Sequence, residues 1–196
     1  MGAFLIVAAL AVQQAVVEPS KDLMLRVAPA IAATSRSGIE IIQLVVSPTG
    51  IIVACNAYIV GRGRFEDREN CNKMVKQKAT PATDQDGRKL YGTSKFLLTW
   101  TVDSAAPPPA KGADLYLPVS RLPLGWRSDM VSFLTLVAGA DGKVETCAVQ
   151  GGSGFAVLDT AACRAVTIQG VAPIRDGAGA AVRAVHNLIV GFTARP

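Results

Sequence analysis

One histidine, His186, and four cysteines are the only imidazole and thiol groups in this 196-residue chain. They come without a C-x-x-C pair, a G-x-S-x-G elbow, or a Walker or dinucleotide glycine fingerprint, so thiol redox, serine hydrolysis and nucleotide binding lack their usual residues. Charge is scarce too, at 18% of residues with a net +5 and a pI near 9.2. Lys73, Lys76 and Lys78 form the densest basic stretch, but Glu66, Asp67 and Glu69 stand just before them. That is a solvated helix face and not the basic stripe a nucleic acid requires. No apolar run reaches the ~20 residues of a membrane-spanning helix. The reading at this level is of a protein with no nucleic-acid partner, no membrane span and no catalytic, metal or cofactor-binding residues.

Half of the residues are apolar, enough for a packed core. The apolar run Gly2 to Val12 is followed by small residues and has the length of a secretory h-region. Residues 1–15 are therefore read as a signal peptide and 16–38 as a lead-in, with the mature protein exported to the periplasm. The cysteines fit export: Cys55 and Cys71 are sixteen positions apart, and so are Cys147 and Cys163. Two local disulfides are expected, each closing a loop worth ~3 kcal/mol on the chain-entropy model. Zinc and buried free thiols are the alternatives, the former without C-x2-C knuckles.

An offset of 92 residues aligns more than the cysteines. Leu44 and Val45 meet Leu136 and Val137, Gly50 meets Gly142, Asp67 meets Asp159, and Pro81 meets Pro173. In each copy a β-branched run (39–47, 131–139) leads through a tight turn, "SPTG" or "GADG", into a second strand (51–60, 143–151). A helix follows, with Asp67 or Asp159 as cap and the second cysteine on its inner face. Proline ends it, and a third strand closes the unit (89–102, 181–194). The expected fold class is α+β: two tandem β-β-α-β units, each a small antiparallel sheet with one helix packed across it. They occupy residues 39–102 and 131–196, joined by a proline-rich linker and lead-in at 103–130. Asp84 and Asp86 read as turn formers, and Trp126 as a core plug.

The motifs "GADGKVETCAV", "GGSGFAVLDTAAC", "VAPIRDGAGAAV" and "LIVGF" in copy two resemble the TonB C-terminal domain family. Copy one keeps "PTGIIVACNA", "DRENC" and "ATPATDQDGRKL", with "GRGRFED" in place of the S-G-x-x-x-L-D core. The resemblance implies a non-enzymatic module of envelope transport that binds an extended peptide, such as a segment of a TonB-dependent outer-membrane receptor. Binding would add the peptide to a sheet edge. Carried onto this chain, the edge is the third strand of copy two, at Val185, His186, Asn187, Leu188 and Ile189. A structural envelope protein that self-assembles through the same edge, as a homodimer for instance, is the second expectation.

Overall fold

The computed structural model describes residues 38–59, 68–100, 113–127 and 130–194. The signal peptide expected at 1–15, the lead-in expected at 16–38 except for Gly38, the first helix cap at Asp67 and residues 103–112 of the linker lie outside these residues.

Two hairpins form where the turn chemistry demands them. β1 (Gly38–Val46) and β2 (Ile52–Ile59) flank Ser47–Gly50, and β6 (Ser132–Ala138) and β7 (Val144–Gly151) flank Gly139–Gly142. Gly50 and Gly142 both take positive φ, 77° and 80°, and each donates its N–H back to the carbonyl three residues earlier. A Cβ on Gly142 would collide with the Val171 carbonyl, so only glycine fits there. Both hairpins carry a bulge just after the turn: the register slips between Val45 and Val46 on β1 and between Val137 and Ala138 on β6. The slip makes Glu145 an extra residue, which is why the sequence alternation along 143–151 is imperfect.

The helices differ in length. α1 (Arg68–Met74) stops before Lys76, which takes a left-handed φ of 73°. α2 (Ala156–Gln169) runs on to Gly170, whose N–H donates to the Val166 carbonyl. Asp159 is not the cap expected from sequence. Phe155 holds that position without a side-chain bond, while Asp159, in the first turn, accepts from the Ser153 N–H at 2.8 Å and the Ser132 hydroxyl at 2.5 Å.

The expected fold class is overturned. There are not two tandem β-β-α-β units with separate antiparallel sheets. One mixed sheet of eight strands runs in the order β2-β1-β4-β10-β6-β7, where β4 is Lys89–Trp100 and β10 is Ala184–Ala194. The short β3 (Ala82–Thr83) pairs with β4, and β5 (Leu115–Val119), part of the expected lead-in, pairs parallel with β10. β8 (Ile174–Arg175) and β9 (Ala181–Val182) form a separate two-stranded ribbon. The join is made by the two third strands, which meet in parallel at Tyr91–Ala184 and Gly92–Val185. The pairing covers the start of each strand and satisfies backbone groups there that a separate sheet would leave unpaired.

A parallel join has a further consequence. It turns the two halves over relative to each other, so the helices lie on opposite faces of the sheet. Ile42, Leu44 and Val46 bury against Cys71 and Met74 of the α1 side, and Val137 and Val185 from the far half join them. Leu134, Leu136, Val190 and Phe192 bury on the other face against Leu158, Ala162 and Val166 of α2. Trp126 packs at the margin of this second cluster, half-buried.

Arg183 ties the halves together. Its guanidinium meets the Asp84 carboxylate at 3.0 Å and the Glu145 carboxylate at 2.8 Å. Asp84 is 2% exposed and also accepts the N–H groups of Asp86 and Arg88. Burial alone would raise its pKa, but Arg183 and these two amides outweigh it and hold the carboxyl below its ordinary value. Replacing Arg183 by Met keeps the stem and removes the charge. The expected loss is about 2 kcal/mol of unfolding free energy in a urea titration. A change within about 0.5 kcal/mol of zero would mean that the bridge contributes no more than a surface residue.

Candidate functional site

Both cysteine pairs are bridged. Cys55 on β2 joins Cys71 on α1 with a Cα–Cα distance of 5.2 Å, and Cys147 on β7 joins Cys163 on α2 at 5.8 Å. The second-strand cysteines lie opposite Leu44 and Leu136, on the faces that each helix covers. Each bridge therefore pins one helix to one hairpin. Two disulfides are the chemistry of an oxidising compartment, and they place the protein outside the cytosol, in an extracellular or periplasmic setting. No helix among the described residues is long and apolar enough to cross a membrane.

The five residues expected to capture a peptide lie in the middle of the sheet. From Ala184 to Val190, β10 pairs antiparallel with β6. Its other side is also occupied. Val185 pairs with Gly92, the Asn187 N–H donates to the Thr93 hydroxyl at 3.0 Å, and the Ile189 N–H donates to the Asp114 carboxylate at 2.9 Å. From Val190 onward β5 takes over that side. A peptide cannot add to β10 without displacing these partners. Val185 and Asn187 face the α1 side of the sheet, where Asn187 Oδ1 accepts from Thr135 at 3.3 Å. His186 and Leu188 face the α2 side.

The ends of the sheet are β2 and β7. The start of β2 is covered by chain returning from α1: the Ile52 N–H donates to Gln77, and the Lys76 N–H donates to Ile52. β7 is more open. Among the described residues its eight positions pair only with β6, and chain returning from α2 meets this end through a bond from the Val171 N–H to the Gly142 carbonyl. Exposed edges are usually blunted by lysine or proline. β7 has neither and carries one charge, Glu145, and the edge is broken instead by two bulges, at Glu145 and Gln150. Phe133 and Val149 beside it are exposed, at 47% and 41%.

No family model, curated protein or solved structure matches this chain. The resemblance to TonB C-terminal domains therefore rests on the motifs alone, and the site must be read from its own geometry.

A second feature lies on the α2 face. There no helix among the described residues covers the first hairpin, and a groove of about 590 Å³ opens between the sheet and the end of α2. Gln43, Asn56, Thr93 and His186 offer polar groups to it, while Val45, Ala54 and Leu188 supply apolar floor. The cross-strand pairs Gln43–Asn56, Val45–Ala54 and Val45–Thr93 put these side chains on one face. His186 is 7% exposed and has no hydrogen-bond partner among the described residues. Burial lowers its pKa to about 4, so the ring is neutral at physiological pH. Only His186 and Leu188 of this set were named from sequence. A signal for the others existed in the 92-residue offset, where Thr93 stands opposite Val185 and Asn56 opposite Ala148.

Proposed function

We propose that this is an exported, disulfide-pinned binding module without catalytic machinery, which captures an extended peptide segment by adding it as a strand to β7. The observation that carries the reading is the outer edge of β7, eight residues long, unpaired among the described residues and flanked by exposed Phe133 and Val149. Backbone hydrogen bonds along such an edge supply affinity, and the flanking apolar side chains select the guest. The motif resemblance to TonB C-terminal domains supports the same mode of recognition, with a periplasmic location and a segment of an outer-membrane receptor as the guest.

The test is a titration of the full chain, under non-reducing conditions, with extended peptides of the receptor N-terminal type, followed by amide resonances. Saturable shifts along Val144–Gly151 are expected. Of any two neighbouring residues in an antiparallel strand, one N–H points to the paired strand and the next points outward. Ala148→Pro and Val149→Pro therefore form a matched pair. The outward-facing one should keep the fold and lose the peptide. Shifts confined to other strands would overturn the proposal. So would concentration-dependent dimerisation through β7 in sedimentation without peptide uptake, which would assign the edge to self-pairing.

A further inference from the structure

We propose that the groove on the α2 face is a second binding site, separate from the β7 edge, that takes a small uncharged ligand with an amide or hydroxyl head and a hydrocarbon body. Its volume lies within the range of small-molecule sites, ~300–1,000 Å³.

The first support is chemical. Two polar side chains at its floor are more than nine-tenths buried, Thr93 at 3% exposure and His186 at 7%. The Thr93 hydroxyl accepts the Asn187 N–H at 3.0 Å and so keeps its own proton to donate. His186 has no partner among the described residues, and its neutral ring has one donor and one acceptor nitrogen. A ligand that donates and accepts would satisfy it. The Gln43 and Asn56 amides each add one carbonyl acceptor and one NH2 donor.

The second support is the contrast between the two faces. At the 92-residue offset, Val45 and Thr93 correspond to Val137 and Val185. Val137 and Val185 are sealed into the core beside α1, at 1% and 0% exposure. On the α1 face both positions are thus apolar and sealed, whereas on the α2 face Val45 is half-buried and Thr93 brings a hydroxyl to the groove. Packing alone would favour the sealed, apolar version on both.

The electrostatics select the class of ligand. The floor carries no charge. Asp114 at the margin is occupied by Lys95 and the Ile189 N–H, and Arg175 is exposed and donates to the Gly179 carbonyl at 2.8 Å. A charged head buried against a neutral imidazole and two amides would lose its hydration without a counter-charge. An uncharged head carries no such penalty.

Hexanamide, hexanoate and hexylamine share a hydrocarbon body and differ only in charge, so they test this directly. The full chain, with both bridges intact, is titrated with each at neutral pH, while the His186 ring protons and the methyl groups of Val45 and Leu188 are followed by NMR. Hexanamide should shift all three saturably in the millimolar range, and the two ions should bind at least tenfold more weakly. Ala54→Phe, which fills the groove from β2, should abolish the hexanamide shifts. Capture of peptide at β7 should continue in that variant, so failure of one site is distinguishable from failure of the other. Equal binding of either ion, unchanged hexanamide binding in a folded Ala54→Phe protein, or no saturable shift from hexanamide would each overturn the proposal.

Discussion

Removing the Cys147–Cys163 bridge by a paired Cys→Ala substitution is expected to lower unfolding free energy by about 3 kcal/mol, and reducing both bridges should nearly abolish cooperative unfolding. Each bridge closes a loop of sixteen positions, for which the chain-entropy account gives about 3 kcal/mol. Native domains hold a margin of only about 5–15 kcal/mol, so two such losses consume much of it. The positions of the bridges add to the expectation. α1 has seven residues, too few to be stable alone, and its buried side chains Cys71 and Met74 hold it to the sheet. Freed of Cys55, α1 should fray first. Urea titrations with and without reductant, and with each cysteine pair replaced in turn, measure this. A midpoint unchanged by reductant would show that the bridges act on something other than stability.

Stability is also expected to fall as pH drops from about 6.5 to about 4, by about 3 kcal/mol, and the fall should vanish in His186→Gln. The sign follows from which state holds the proton. Burial lowers the folded pKa of His186 from 6.5 to about 4. Between those values the unfolded chain binds a proton that the folded chain does not, so acid favours unfolding. Above pH 6.5 neither state is protonated and the residue adds no pH dependence. The magnitude is the shift in pKa multiplied by about 1.4 kcal/mol per unit. Asp84 acts in a different window. Its pKa is held below 3.8, so its stabilisation is present above the unfolded carboxylate value and is lost only as pH falls below that. Unfolding curves at a series of pH values for the native chain and His186→Gln separate the two. A decline between pH 6.5 and 4 that persists in the variant would assign the effect to other groups.

Much of this was legible in the sequence. The strands follow the β-branched runs to within a residue or two at most ends, and the turns fall at the Ser-Pro-Thr-Gly and Gly-Ala-Asp-Gly steps. The matched cysteine intervals foretold both bridges, because a strand residue and an inner-face helix residue one short loop apart come within disulfide reach. Turns, alternation and local bridges depend on residues near each other along the chain, and the chain records them directly.

The assembly of those pieces was decided only by tertiary structure. Nothing in Tyr91–Gly92 or Ala184–Val185 marks them as partners, because backbone N–H and C=O groups are the same at every residue and an edge strand reads like a central one. Whether β10 ends a small sheet or sits inside a large one depends on β4, about 90 residues away. That pairing removed the edge on which peptide capture was first expected and left β7 as the open end. It also turned the halves over, sealing Val137 and Val185 beside α1 and leaving Val45, Thr93 and His186 around a groove. Apolar patterning fixes which residues seek burial. The partner that buries them is chosen by the long-range pairing of strands, which has no local signature to read.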